Sequence, residues 1–231
     1  MQPESQNQSV QWGGNADVAV SQNKVLRNTY LLLAVSLVPT IFGALVGSQI
    51  NLGFLRTSPI ISALAVMAIF YGWIFMIEKN KNSSVGLYLL LGFTFFMGLL
   101  LTPLLQRTLG LANGGQLVMM AAGGTAAVFA VLSGIASNAK RDFSFLNKFI
   151  FVGFIVIMLG VVANIFLQMP LISLMLCGAF IVFSSAVILW QINDIVRGGE
   201  TNYISATLTL YVSIYNIFTS LLQILGIVDR D

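Results

Sequence analysis

Residues Tyr203–Gly226 read Y-I-S-A-T-L-T-L-Y-V-S-I-Y-N-I-F-T-S-L-L-Q-I-L-G, a run without one charged side chain. At 1.5 Å per residue such a helix is about 36 Å long, enough to cross a hydrocarbon core of ~30 Å. Thr209, Ser213, Asn216, Ser220 and Gln223 recur at spacings of four, three, four and three, which puts them on one stripe of a helix. A barrel strand would be shorter and would alternate apolar with polar residues. Amides facing lipid are costly, so this stripe must face protein or water. The segment is therefore a membrane helix with neighbours, and the rest of the chain has to provide them.

Working outward, six further stretches are long and apolar enough to span: Thr29–Ile50, Pro59–Ile77, Val85–Leu105, Gln116–Ala136, Phe149–Gln168 and Leu171–Asn193. The reading is an all-α integral membrane protein with seven transmembrane helices. Composition agrees, because only 8% of the residues are charged and 57% are hydrophobic; a soluble domain carries roughly 25% charged residues. All charged side chains fall outside the seven spans, Asp194 lying just past the end of the sixth. Connections are short, and Met169-Pro170 makes a tight hairpin between the fifth and sixth spans. The chain divides into a polar N-terminal tail (1–28), one membrane domain (29–226) and a short C-terminal tail (227–231). Met1–Lys24 is rich in Gln, Asn, Ser and Gly and reads as flexible. It lacks the basic and apolar regions of a signal peptide.

Lys and Arg concentrate in cytoplasmic loops. With the N-terminus cytoplasmic, Lys24, Arg27, Lys79, Lys81, Lys140, Arg141, Lys148 and Arg197 lie inside, while Arg56, Arg107 and Arg230 lie outside. This split predicts a cytoplasmic N-terminus and an exported C-terminus.

Enzymatic readings fare poorly. The chain has no histidine, which removes histidine proton relays, zincin-type metal sites and serine–histidine dyads together. Cys177 is the single cysteine and has no thiol partner. Aspartyl chemistry within the membrane needs two aspartates, and no span holds one. No catalytic residue, cofactor or metal ligand is assigned, and no basic run suggests nucleic acid.

Small residues predict close helix packing. In the fourth span Ala122, Ala126, Ala130 and Gly134 make a smooth face; in the fifth, Gly153 and Gly160 lead to Asn164 and Gln168. The sixth offers Ser173, Cys177, Ser184 and Gln191 as a partner stripe for the seventh. The two stripes either hydrogen-bond face to face or line a narrow polar path or gate, for which Gln191, Asp194, Ser213 and Asn216 are the candidates. In the loop Asp194–Tyr203, Gly198-Gly199 ends the sixth helix, and Thr201 or Asn202 caps the seventh. The loop Ser137–Lys148 carries Phe143, Phe145 and Leu146, placed to anchor in the membrane interface or to dock a partner.

Several longer motifs make the chain recognisable. G-F-T-F-F-M-G-L-L-L-T-P-L-L (Gly92–Leu105), A-A-G-G-T-A-A-V-F (Ala121–Phe129) and K-R-D-F-S-F-L (Lys140–Leu146) resemble the Bax-inhibitor, or transmembrane BAX inhibitor motif, family. K-V-L-R-N-T-Y (Lys24–Tyr30), V-A-N-I-F-L-Q (Val162–Gln168), G-G-E-T-N-Y-I (Gly198–Ile204) and Leu210–Gly226 resemble a bacterial branch of it. The resemblance implies six helices surrounding a central seventh. For the bacterial branch it implies an inner-membrane protein that binds and restrains the ATP-dependent protease FtsH, is itself a substrate, and has the HflK–HflC complex as a neighbour. Other members of the family behave as pH-sensitive calcium leaks, which is the alternative function. Their pattern places one acid in the sixth helix and one in the seventh. Asn193, Ile195, Leu210, Tyr211 and Asn216 match that pattern, but Gln191 and Ser213 stand where the acids would be. An amide and a hydroxyl cannot share a titrating proton as two carboxyls do. Only Asp194, one turn from Gln191, offers a partial substitute.

Overall fold

The computed structural model describes residues 5–50, 59–138 and 142–229, with backbone alone for 5–21 and 59. The described residues form seven α-helices: α1 Ser5–Gln49, α2 Pro59–Lys79, α3 Ser84–Leu109, α4 Gly114–Ala136, α5 Leu146–Leu167, α6 Pro170–Arg197 and α7 Tyr203–Val228. Each is long and apolar enough to cross a membrane. The helical backbone of α1 extends well beyond the expected span, back into the polar N-terminal segment.

Close packing begins where α1 meets α3. A Cβ on Gly43 would overlap the carbonyl oxygen of Phe95, and one on Gly98 would overlap that of Thr40. Gly47 faces the Thr102 hydroxyl, which also donates to the Ala44 carbonyl at 3.3 Å. This Gly-x-x-x-Gly seam was not singled out from the sequence, although its spacing is the familiar signal for close backbone approach.

The fourth span packs differently from the expectation. Ala122, Ala126, Ala130 and Gly134 point outward, while Leu117, Ala121 and Thr125 are buried. Both files of α4 are small, and lipid imposes no penalty on an outward alanine. The tighter fit therefore went to the neighbouring file. The α5 glycines do pack: Gly153 receives the ring of Phe183 and Gly160 the side chain of Leu176. That seats α5 on α6.

Helix α7 packs against α1, α2, α3, α4 and α6. The six-around-one expectation is therefore incomplete, since α5 approaches only α2 and α6. Docked on α6 through its glycines, α5 stands off from α7 and leaves cavities between them. The hairpin before α6 turns on Gln168, a left-handed residue with φ 50°, followed by Pro170 in the first turn of α6.

Candidate functional site

Two faces of α7 do different work. On one, Tyr211 is fully buried, its hydroxyl 2.7 Å from that of Thr40 on α1. The Tyr215 hydroxyl donates to the Met97 carbonyl on α3 at 3.1 Å, and that of Thr207 donates to the Thr29 carbonyl at 3.3 Å. The rings of Phe93 and Tyr211, edge to face with centroids 6.3 Å apart, fill the centre. This face holds α7 to the α1–α3 pair.

The opposite face carries the polar stripe, and it borders the space left by α5. A cavity of about 270 Å³ between α5, α6 and α7 is lined by Asn164, Ser173, Cys177, Asn216, Ser220 and Gln223 among others. The amide of Gln223 donates to the Ser173 hydroxyl at 2.9 Å. The stripes on α6 and α7 thus meet at this end, as their spacing predicted. Asn164 Oδ1 is shut from solvent without a hydrogen-bond partner, so the cavity wall presents an acceptor still able to receive a proton donor. Asn216 and Phe180 also line a second, larger cavity that extends between α2, α5, α6 and α7 as far as Glu78.

The four residues singled out from the sequence do not form one cluster. Ser213 and Asn216 line the larger cavity, and Asn216 lines both. Gln191 is buried on α6 with its Nε2 unpartnered, and lines neither cavity. The Ser213 hydroxyl is turned back onto the Thr209 carbonyl at 2.8 Å. Asp194 sits in the last turn of α6, its carbonyl accepting from Gly199 N–H at 2.9 Å. A Cβ on Gly199 would overlap its carboxylate oxygen. Asp194 therefore belongs to the helix end, while Glu78 is the carboxylate that lines the larger cavity along with Ser213.

The ends of the helices are joined by residues that the sequence hinted at only in part. Asn202 caps α7, its Oδ1 accepting from Ile204 and Ser205 N–H at 2.9 and 3.1 Å. The same amide donates to Lys81 O at 3.0 Å and Asn82 Oδ1 at 2.8 Å, tying α7 to the α2–α3 turn. Glu78 completes this junction, accepting from the Ser205 hydroxyl at 2.7 Å and pairing with Lys81 at 3.1 Å. That partner holds the Lys81 ammonium above its usual pKa, by its hydrogen bond first and its charge second. Asn193 was noted only as part of a motif. It is buried, accepts from Phe143 N–H at 3.2 Å and donates to the Ala136 carbonyl at 3.3 Å. It thereby pins the loop carrying the aromatics, of which Phe145 is left exposed. Asp142 in that loop lies 3.3 Å from Arg197. Hydrogen bonds from Ser144, with Arg197 adding its charge, hold the Asp142 carboxyl below the usual range. Lys140 and Arg141 lie outside the described residues.

Comparison with known proteins gives this architecture relatives. Residues 22–230 match the family model described as inhibitor of apoptosis-promoting Bax1. An Escherichia coli K12 protein named modulator of FtsH protease YccA is 42% identical over 212 residues, covering 92% of this chain and 94% of the relative. The same protein in a second E. coli strain is named inner membrane protein YccA. An uncharacterised protein of Neisseria meningitidis serogroup B is 44% identical over 208 residues, covering 89% of this chain and 92% of the relative.

Proposed function

The chain belongs to the Bax inhibitor family, and we propose that within it this protein binds and restrains the membrane protease FtsH while being a slowly degraded substrate of it. The observation that carries the reading is the similarity to the E. coli protein named as a modulator of that protease, which extends over nearly the full length of both chains. The role is non-enzymatic. The names of the family and of that relative, an inhibitor and a modulator, support this reading. The protein acts in the bacterial inner membrane, with its N-terminus cytoplasmic and its C-terminus periplasmic, as the distribution of Lys and Arg favours. HflK–HflC is a neighbour in the same assembly.

Resistance is built into the helical body. Seams as close as that of Gly43 with Gly98 leave little slack between backbones, so extraction has to break many contacts at once. A protease engaged on such a body is occupied for as long as the body resists.

The test is co-purification. A tagged full-length chain, solubilised from bacterial membranes in mild detergent, is expected to bring FtsH with it, and overproducing the chain is expected to slow turnover of another FtsH membrane substrate. Solubilised FtsH that fails to travel with the chain, together with unchanged turnover, would refute the reading.

A further inference from the structure

The larger cavity has a shape and chemistry that select its occupant. It holds about 630 Å³. Along α2 it runs from Ala63 to Glu78, about 22 Å at 1.5 Å per residue. A partner helix, about 10–12 Å across with its side chains, does not suit a slot whose flanking helices α2 and α5 already touch through Tyr71 and Phe154. Nor do the walls suit a column of water: Met67, Phe70, Phe154, Met158, Phe180 and Phe183 dominate them, and water needs two to four polar partners. The hydroxyls of Thr209 and Ser213 on the α7 wall are engaged by their own helix, at 3.2 and 2.8 Å. Ser184, buried with its hydroxyl unpaired, and Asn216 add polar points to this wall, and the Tyr71 hydroxyl is engaged by the Met158 sulfur at 3.2 Å.

The slot also reaches the lipid-facing surface. Tyr71 and Phe154 line it and are 38% and 42% exposed. Their rings meet edge to face at 6.4 Å and form its lip between α2 and α5. Where α2 ends, the Glu78 carboxylate lines the slot with the Lys81 ammonium 3.1 Å away. A carboxylate beside an ammonium suits a headgroup that carries both signs, its amine toward Glu78 and its phosphate toward Lys81. A free fatty acid would bring its carboxylate against that of Glu78.

We propose that this slot holds one acyl chain of a phosphatidylethanolamine-type phospholipid, entering sideways between α2 and α5, with the headgroup at Glu78 and Lys81. The lipid is a structural ligand that fills the gap between α5 and α7. The proposal is independent of the protease reading.

The test uses full-length protein reconstituted in nanodiscs of mixed phosphatidylethanolamine and phosphatidylglycerol, then released for native mass spectrometry. One phosphatidylethanolamine per chain is expected to survive release. Ala63→Phe fills the slot and should lower that retention roughly tenfold or more. Val161→Phe, from the opposite wall, repeats the test should the first variant fail to keep its thermal melting transition. Phe151→Leu, on the exposed face of α5, should retain lipid as the unaltered chain does. Glu78→Gln should keep a bound lipid but lose the preference for the amine headgroup, a readout that does not depend on filling the slot. No retained lipid, retention unaffected in a folded filled variant, equal retention of phosphatidylglycerol by the unaltered chain, or a free fatty acid in place of the phospholipid would each overturn the proposal.

Discussion

At the scale of single residues, Tyr211 joins three helices through one side chain. Its hydroxyl reaches Thr40 on α1 at 2.7 Å and the Thr94 carbonyl on α3 at 3.4 Å, while its ring packs on Phe93. Tyr211→Phe keeps the ring contacts and removes the hydroxyl. A buried hydrogen bond contributes about 1 kcal/mol, and bonds between membrane helices average about 0.6. The variant should therefore melt a few degrees below the unaltered protein in detergent, whereas Tyr88→Phe, on an exposed side chain, should not. Asp142 gives a pH dependence. Its carboxyl is held below the usual range by Ser144 and then Arg197, so its contribution to stability is present above the ordinary aspartate pKa of about 3.9 and is lost as pH falls through the lower folded value. Cleavage of the 137–148 loop by an acid-tolerant protease should rise as pH is lowered through that window. Asp142→Asn should abolish the change.

Among the helices, the deciding quantity is how close two backbones come. Gly98→Ala drives a methyl into the Thr40 carbonyl oxygen, and overpacking of this kind costs about 1–3 kcal/mol. Gly123 on α4 has open space around it, so Gly123→Ala should be neutral or stabilising, because alanine favours helix over glycine by about 1 kcal/mol. Thermal melting of the two variants side by side checks this contrast. The hairpin after α5 supplies another: Gln168 has φ 50°, a region that β-branched residues avoid. Gln168→Val should cost about 1–2 kcal/mol and Gln168→Gly little. These sites also mark what the sequence makes legible. The stripe on α7 was readable because a lipid-facing amide carries a local penalty that repeats with the helix. The outward face of α4 was not, since Ala122 and Ala126 differ in no intrinsic way from the buried Ala121, and only Thr125 marks the inner file. In lipid, apolarity does not tell inside from outside. That an amide and a hydroxyl stand at positions 191 and 213 was legible residue by residue, but the stand-off of α5 was not. It depends on Phe183 and Leu176 fitting over Gly153 and Gly160, a match of shapes that spacing alone does not encode.

For the whole molecule, the contrast that matters is between the N-terminal segment and the body behind it. An ATP-driven protease that extracts membrane proteins needs a segment it can grip and unwind on its own side of the membrane. Residues 5–21 are helical in backbone, but they are rich in Gln, Asn and Ser and contain Gly13-Gly14. Short helices of such composition are marginal in water. From Thr29 onward the chain enters the packed body, where Thr29, Leu32, Leu33 and Ser36 are buried. A pulling force would therefore unwind the segment readily and then meet the α1–α3 seam. Under the protease reading, deleting most of Met1–Lys24 while keeping Arg27 for topology should lengthen the protein's lifetime in cells that contain FtsH and leave membrane insertion unchanged. Pulse-chase of full-length and truncated chains measures the lifetime, and carbonate extraction reports insertion. Loosening the seam with Gly98→Ala should act oppositely: the segment is gripped as before, the body yields sooner, and the lifetime shortens. Equal lifetimes for the full-length and truncated chains would show that the segment is not the handle and would turn attention to the loops that carry Lys81 and Phe145.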